Sequence, residues 1–221
     1  MDNKSAFSAA EYDRNIRETL PFYEEFFRQI TDSVSVYKSG ALRWLDAGCG
    51  TGEMARAALG ALPIERFVFC DISEKMLTIA RARFAAPNRE FYNCPVQSMT
   101  FYDEFDVVTA IMINHYLSAD ERLNAVLSCF KALKKDGMYF CFENFAPHGE
   151  LGRKLCLERW RRFQLGQGRS AEECGSHIAR YGKEYLPVTI NEETEILRSC
   201  GFREVEILWV SCMQAGFLAI K

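Results

Sequence analysis

The sequence lacks a long apolar run, a paired-cysteine motif and a strong excess of charge. Without an uninterrupted stretch of about 20 apolar residues, no membrane-spanning helix and no membrane partner are expected. A formal net charge of −3 gives no general attraction to nucleic acid or to an anionic membrane. The polar N-terminus predicts that no signal peptide is present. Nine scattered cysteines without a Cys-x-x-Cys pair are typical of free thiols, so we expect a cytoplasmic location.

The composition is that of a chain that can bury a full core. Of the 221 residues, 48% are hydrophobic and 26% are charged, which excludes a disordered or low-complexity chain. The length fits one ordinary globular domain with a small appendage.

From about residue 40 onward, short apolar segments alternate with segments of helical periodicity. The predicted strands are ALRWLDAG, RFVFCD, EFYNC, FDVVTAIMI, GMYFCFENF, REVEILWVS and AGFLAIK. This alternation predicts an α/β fold, a Rossmann-like doubly wound sheet that is mostly parallel and covered by helices on both faces. One intervening helix is predicted to begin at the capping residue Ser118 and to end near Gly137.

Two segments lie outside this alternation. Residues 1–39 contain two helical patterns separated at Pro21, and we predict an N-terminal helical lid on a main domain of residues 40–221. Residues 146–188 carry too many charges for a crossover helix and too much helical pattern for a loop. We predict that they form a helical cap, inserted after the fifth strand.

The strongest motif is a glycine-rich turn between the first strand and the following helix, LDAGCGTGE at residues 45–53. Glycines at such a turn let backbone N–H groups approach a ligand closely. Asp71 ends the next strand, 19 residues after Gly52, where a carboxylate commonly accepts the ribose hydroxyls of an adenosine-containing ligand. The alternative is a tight turn without a ligand, which leaves the position of Asp71 unexplained.

The charges at this turn favour one class of adenosine ligand. The spacing Gly-x-Gly-x-Gly differs from the dinucleotide pattern. Asp46 and Glu53 flank the glycines, and each carboxylate would repel a pyrophosphate by about 1 kcal/mol or more. A cationic ammonium and sulfonium would instead be attracted, so the sequence favours S-adenosylmethionine over NAD or ATP.

Three motifs of the chain match one family: LDAGCGTGE is its first motif, FCDIS its second and FDVVTAIMINHYLS its fourth. Over about residues 40–221 the chain resembles the class I S-adenosylmethionine-dependent methyltransferases. The resemblance implies a seven-stranded sheet with an antiparallel last strand, S-adenosylmethionine as cofactor and S-adenosylhomocysteine as product. The implied cofactor-binding residues are Asp46, Gly48, Cys49 and Gly50 for the methionine end, Asp71 and Ile72 for the ribose, Val96 and Gln97 for the adenine, and Ala110 and Ile111 at the end of the fourth strand. We add Met76, in the helix after Asp71, to this set.

The parts outside the core are similar to the carboxy-S-adenosylmethionine synthases of tRNA modification. The shared features are two N-terminal helices, a helical insertion after the fifth strand and a polar-aromatic stretch before the last strand. This likeness implies that Tyr23 lies beside the cofactor and that Arg180 lies near the arginine that holds the extra carboxylate. The chain departs from that family at Ile111, where the family has an asparagine.

Candidate residues for chemistry follow the fourth and fifth strands. Asn114, His115 and Tyr116 lie just past the fourth strand, where the methyl group of the cofactor is expected, and His115 is a candidate base. The alternative is that His115 caps the next helix or packs under the N-terminal helices. Glu143, at the end of the fifth strand, faces the same edge and is a candidate substrate residue, or else satisfies backbone groups of the insertion.

Tyr12 and Arg180 complete the predicted substrate residues, although aromatic residues at helical spacing are more often core. Cys174 and His177 have zinc-like spacing without a second pair, so no metal is predicted. Six basic residues between 150 and 170 fit a solvated helix face, with a rim for an anionic substrate or an RNA backbone as the alternative.

The combined prediction is an S-adenosylmethionine-dependent methyltransferase that acts on a small-molecule acceptor, as a monomer or homodimer, without a nucleic-acid partner. The alternatives are a cofactor-modifying enzyme of the carboxy-S-adenosylmethionine synthase type and a tRNA-modification methyltransferase.

Overall fold

A seven-stranded sheet forms the centre of the molecule, in a computed structural model that describes residue 5 and residues 7–221. The strands are β1 (Leu42–Ala47), β2 (Ile64–Asp71), β3 (Arg89–Asn93), β4 (Phe105–Ile111), β5 (Leu133–Asn144), β6 (Glu204–Ser211) and β7 (Gln214–Ile220). Their order is β3-β2-β1-β4-β5-β7-β6, and β7 runs antiparallel to both of its neighbours while the other pairs are parallel. This confirms the predicted fold class, including the antiparallel last strand.

Helices cover both faces of the sheet. They are α1 (Tyr12–Thr19), α2 (Tyr23–Tyr37), α3 (Glu53–Ala61), α4 (Glu74–Phe84), α5 (Ala119–Ala132), α6 (Glu150–Gly166), α7 (Ala171–Ile178) and α8 (Ile190–Ser199). One core layer packs α2, α3 and α4 on alternate strand residues such as Trp44 and Phe67, and the other packs α5 and α8 on their neighbours Leu45 and Val68. Strands buried on both faces are therefore apolar throughout rather than alternating.

Helix α5 begins where the sequence predicts and ends earlier. Ser118 accepts from the backbone N–H of Glu121, whose carboxylate accepts from the N–H of Ser118, so a capping box starts the helix. The predicted stop near Gly137 is wrong, because α5 ends at Ala132 and Leu133 already pairs with Phe105 on β4. The residues before Gly137 extend β5 instead of the helix.

The N-terminal helices and the inserted segment lie together at the carboxyl edge of the parallel strands. The Trp160 indole of α6 donates to the backbone oxygen of Thr19 at 2.7 Å, which ties α6 to α1. The two ends of the insertion lie beside each other, because the Ala146 N–H donates to the Val188 oxygen at 2.7 Å. Of the predicted lid, residues 1–4 and residue 6 lie outside the described residues.

Candidate functional site

The glycine turn after β1 has a backbone that side chains would obstruct. Gly48, Gly50 and Gly52 have φ values of +75°, +53° and +94°, in the left-handed region. A Cβ atom on Gly48 would lie 2.2 Å from Cγ2 of Ile113, whereas one on Gly50 would meet nothing within 4 Å. The turn therefore needs glycine for packing at Gly48, and it leaves open space beside Gly50.

Asp71, at the end of β2, faces this turn. Its Oδ2 accepts from the Gly50 N–H and its Oδ1 from the Ser73 N–H, both at 2.8 Å. Burial raises the pKa of Asp71, and the two backbone bonds oppose this shift. Since an ionised carboxylate has about four lone-pair sites, each oxygen can accept a further hydrogen bond.

Asp46, on β1, is a buried carboxyl without a cation beside it. No ion pair involves Asp46 in the part of the chain that the structure describes. Its Oδ1 accepts from Oγ1 of Thr109 at 2.7 Å, and that hydroxyl in turn accepts from the Trp44 indole at 3.0 Å. Burial raises the pKa of Asp46 to about 7, while the Thr109 hydrogen bond lowers it. The site therefore holds an acidic group whose charge lacks a partner.

Three adjoining cavities open at this edge of the sheet. The outer cavity, which is partly open to solvent, is lined by Tyr12, Gly48, Gly50, Asp71, Ile72, Met76, Val96, Gln97, Ile111, Met112 and Tyr116, among others. The turn cavity is smaller and is lined by Tyr12, Tyr23, Asp46, Gly48, Cys49, Gly50 and Ile111, among others. The inner cavity has room for about one or two water molecules, and it is lined by Ser5, Phe7, Ile16, Thr19, Leu20, Met112, His115, Tyr116, Asn144, Trp160, His177 and Tyr185. The structure thus brings most of the predicted cofactor residues together.

Four predicted residues do not line these cavities: Ala110, Asn114, Arg180 and Glu143, whose contacts are described below. Ala110 is fully buried in β4 opposite Cys141, because the alternation along the strand turns it away from Ile111. The amide of Asn114 points to the Tyr139 hydroxyl at 3.4 Å, inside the core. Arg180 pairs with Glu184 at 2.8 Å.

The prediction that Glu53 would repel a pyrophosphate is wrong, because the charge of Glu53 is already paired within the protein. Arg17 lies 2.5 Å and Arg56 lies 3.1 Å from its Oε2. Two guanidinium groups neutralise this carboxylate, so Asp46 and Asp71 remain as the lining acidic groups without an arginine beside them.

His115 and Glu143 form a buried pair at the ends of β4 and β5. Oε1 of Glu143 accepts from the backbone N–H groups of Ile113 and Asn114 at 2.9 Å, and its Oε2 lies 2.5 Å from Nδ1 of His115. Because the carboxylate accepts, we assign the ring proton to Nδ1, which leaves the Nε2 lone pair free. Nε2 is buried and has no hydrogen-bond partner among the described residues. Glu143 thus orients the imidazole instead of contacting a cavity itself.

Several residues of the site carry no sequence motif. Trp160 and Tyr185 lie in the insertion, where only helical periodicity was visible. The sequence did mark Thr109, which is a polar residue within the apolar run FDVVTAIMI.

His177, which has zinc-like spacing to Cys174, uses both ring nitrogens within the protein. Its partners are Oε1 of Gln164 at 3.0 Å and the Tyr185 hydroxyl at 2.8 Å.

No helix in the described part of the chain has the length and apolar character that crossing a membrane requires. The cytoplasmic location and the monomeric or homodimeric state stay predictions.

Comparisons with known proteins agree with this geometry. Residues 45–137 match the family described as Methyltransferase domain. A carboxy-S-adenosyl-L-methionine synthase of Campylobacter lari is 22% identical over 215 residues, which cover 96% of this chain and 92% of that protein.

Two solved structures show the same fold. One is a Haloferax volcanii protein, solved in complex with the Trm112 methyltransferase activator. It superposes with a TM-score of 0.69 at 16% sequence identity, and the match covers 100% of this chain and 98% of that protein's chain. The other is a phosphoethanolamine N-methyltransferase of Haemonchus contortus, solved with phosphomonomethylethanolamine and S-adenosylhomocysteine. Its TM-score is 0.64 at 16% sequence identity, and the match covers 90% of this chain and 42% of that protein's chain.

The comparisons confirm the resemblance, the enzyme class and the cofactor predicted from the sequence. Residues 45–137 form a methyltransferase domain, and S-adenosylmethionine is its cofactor.

Proposed function

We propose that this protein transfers the methyl group of S-adenosylmethionine to a small-molecule acceptor, held between the N-terminal helices and the inserted segment. The observation that carries the proposal is His115, which Glu143 holds through Nδ1, which lines a cavity beside the outer cavity, and whose buried Nε2 has no hydrogen-bond partner among the described residues. The inner and outer cavities share Met112 and Tyr116 as walls. A base in that place can receive the proton that the acceptor loses.

The cavities fit the cofactor by their chemistry. The buried carboxyl of Asp46 has no cation among the described side chains, which suits the ammonium of the methionine moiety, and Asp71 has lone pairs for two ribose hydroxyls. The remaining cofactor contacts are assigned to Gly48, Cys49, Gly50 and Tyr23 in the turn cavity, and to Ile72, Met76, Val96, Gln97 and Ile111 in the outer cavity. Bound S-adenosylmethionine supplies a methyl group activated by the sulfonium.

The chain's own residues then have three tasks. Tyr12 and Tyr116 cover the cavities and exclude water, and burial raises the pKa of both hydroxyls, so they stay neutral. His115 accepts the proton of the acceptor, and Glu143 stabilises the charge that the imidazole then carries. The backbone of Asn114 positions this pair, because its N–H donates to Glu143. Arg122 holds that backbone in place by donating to the Asn114 carbonyl oxygen at 3.0 Å.

The test is a labelled-methyl assay against fractionated metabolite pools, comparing the native protein with His115→Gln. We expect native protein to label a small molecule and the variant to do so about 100-fold more slowly or less. Both proteins should bind S-adenosylhomocysteine equally in calorimetry, because His115 does not line the outer cavity. Equal labelling rates would remove His115 from the mechanism, and no labelled product from any fraction would contradict methyl transfer.

The second candidate is a carboxy-S-adenosylmethionine synthase, which the full-length likeness to such enzymes favours. A carboxylated sulfonium brings a negative charge that needs a cation in the dry pocket. Arg180 is the predicted cation, but its guanidinium already bonds Glu184 and lies 4.6 Å from the centre of the Tyr185 ring. Ile111, which lines the outer cavity, offers no hydrogen-bond donor.

Competition binding separates the two candidates. We expect plain S-adenosylmethionine to bind about tenfold more tightly than the carboxylated form, the size of one missing charge-assisted hydrogen bond. If the carboxylated form binds more tightly, and loses that advantage in Arg180→Ala, the synthase assignment replaces ours.

A tRNA-modifying methyltransferase remains the third alternative. On α6, Lys154 pairs with Glu150 and Arg162 with Glu158, both at 2.9 Å, which favours a solvated helix face over an RNA contact.

A further inference from the structure

Two thiols lie in contact where β2 and β3 end. Cys70 is the residue before Asp71, and Cys94 directly follows β3. Their Sγ atoms lie 3.2 Å apart, and Sγ of Cys70 also lies 3.3 Å from the backbone oxygen of Cys94. Since the sulfur atoms of a disulfide are about 2 Å apart, a movement of about 1 Å would join the two thiols.

The two thiols differ in exposure. Among the nine cysteines, all of which the structure describes, Cys94 and Cys212 are partly exposed and the other seven are buried. Hydrogen bonding to Cys70 lowers the pKa of the Cys94 thiol, and burial opposes this shift. Oxidation follows thiolate character and exposure, and redox-sensing cysteines commonly lie beside a second thiol that resolves them. Cys94 therefore has the properties of the thiol that is oxidised first, and Cys70 those of its resolving partner.

The backbone of this pair joins two walls of the outer cavity. The Cys70 carbonyl oxygen accepts from the N–H groups of Gly48 and Cys49, at 2.7 Å and 2.9 Å, so it holds the glycine turn. Cys94 leads directly into residues 95–97, which line the outer cavity. A bond that pulls the two sulfur atoms together would therefore displace one wall of the cavity against the other.

We propose that Cys70 and Cys94 form a reversible disulfide, and that this disulfide weakens cofactor binding in the outer cavity. The disulfide is independent of the proposed methyl transfer, while its effect on binding rests on the cofactor contacts that the proposed function assigns to Val96 and Gln97. The oxidant is a hydroperoxide, and the reductant that restores the thiols is a dithiol.

The oxidation proceeds in two steps. The Cys94 thiolate attacks one oxygen of hydrogen peroxide, the O–O bond breaks, and the other oxygen leaves as water after taking up a proton. The Cys70 sulfur then forms a bond to the Cys94 sulfur, and the sulfenic hydroxyl leaves with the Cys70 proton as a second water. The two sulfur atoms together lose two electrons, which the peroxide gains.

Cofactor binding and oxidation are linked. A displaced wall that loses about one hydrogen bond to the ligand should weaken S-adenosylhomocysteine binding about tenfold. By reciprocity, bound S-adenosylhomocysteine favours the reduced thiols by the same factor. For a two-electron couple a tenfold factor corresponds to about 30 mV, so saturating S-adenosylhomocysteine should raise the midpoint potential of the pair by about 30 mV.

The test treats the full chain with hydrogen peroxide and then with dithiothreitol. Trypsin places the two thiols in separate peptides, residues 67–75 and 90–122, neither of which has another cysteine. Mass spectrometry should find these peptides crosslinked after peroxide and separate after dithiothreitol. Calorimetry should show S-adenosylhomocysteine affinity that falls about tenfold on oxidation and recovers on reduction. The absence of this crosslink, or a crosslink with unchanged affinity, would overturn the inference.

Two variants separate this pair from the other thiols. Cys94→Ser should keep its affinity for S-adenosylhomocysteine after peroxide, because the disulfide cannot form. Cys212→Ser removes the other partly exposed thiol, which lies in a cavity away from the glycine turn, and should respond to peroxide as the native protein does. If Cys94→Ser does not fold, Cys70→Ala takes its place. A native loss of affinity in Cys94→Ser, or no loss in Cys212→Ser, would assign the effect to another thiol and contradict the proposal.

The two proposals fail in different ways. If the crosslink forms and weakens S-adenosylhomocysteine binding but no acceptor is methylated, the proposed function is wrong and the redox pair stands. If an acceptor is methylated and peroxide produces no crosslink between Cys70 and Cys94, methyl transfer stands and the redox pair is wrong.

Discussion

We expect Asp46 to set the pH dependence of cofactor binding. Its pKa is raised to about 7 by burial, so near neutral pH about half of the ligand-free molecules carry a neutral Asp46. The ammonium group of S-adenosylmethionine or S-adenosylhomocysteine favours the ionised carboxylate. Binding should therefore release a proton, and affinity should rise as the pH rises through 7.

The magnitude follows from the ionised fraction. That fraction is about one tenth at pH 6 and about three quarters at pH 7.5, so affinity should fall about eightfold, or about 1.2 kcal/mol, between pH 7.5 and pH 6. The α-amino group of the ligand itself loses its proton at a pH of about 8, so the usable range is about pH 5.5 to 7.5. Calorimetry of S-adenosylhomocysteine in two buffers of different ionisation enthalpy measures the affinity and the released proton together.

Neighbouring residues provide matched controls. Thr109 donates to Asp46 and lowers its pKa, so Thr109→Val should move the rise in affinity to higher pH, and Thr109→Ser should leave it in place. In Asp46→Asn binding should be weaker and nearly independent of pH in this range. A native protein whose affinity does not change with pH, or an Asp46→Asn variant that keeps the native slope, would refute the assignment of this proton to Asp46.

Three further predictions concern the same edge of the sheet. Asp71→Ala should cost about 2 kcal/mol or more of S-adenosylhomocysteine affinity in calorimetry, because the acceptor for two ribose hydroxyls is lost; unchanged binding would contradict the ribose assignment. NAD and ATP should not raise the melting temperature, since Asp46 and Asp71 oppose a pyrophosphate; stabilisation equal to that by S-adenosylmethionine would reverse this preference. Gly48→Ala should lower the melting temperature and weaken cofactor binding because its Cβ would meet Ile113 at 2.2 Å, whereas the matched Gly60→Ala on α3 should not; equal melting temperatures would show that the turn tolerates a side chain.

The sequence locates the glycine turn and Asp71 in the fold well, because their positions depend on local backbone. The glycine turn and Asp71 occupy fixed places relative to β1 and β2, so motif and spacing locate them without knowledge of distant contacts. Near the end of β4, prediction is limited by side-chain alternation. Ala110 and Ile111 are adjacent in sequence, yet one is in the core and the other lines two cavities.

Other features depend on contacts between distant parts of the chain. The charge of Glu53 is neutralised by Arg17, 36 residues earlier, and no local pattern announces that pair. The end of α5 at Ala132 follows from the pairing of Leu133 with β4, which overrides the glycine signal further on. The inner cavity was not predicted, since Trp160 and Tyr185 approach His115 only through the path of the insertion.

The hydrogen bond from Ala146 to Val188 has an evolutionary consequence. A segment whose two ends lie beside each other can be lengthened, shortened or exchanged with little change to the parallel strands. Selection for a new acceptor can therefore act on the insertion almost as on a separate module. One contact limits this independence. Trp160 in the insertion donates to the backbone oxygen of Thr19, so a replaced insertion would also require a matching change in the first helix.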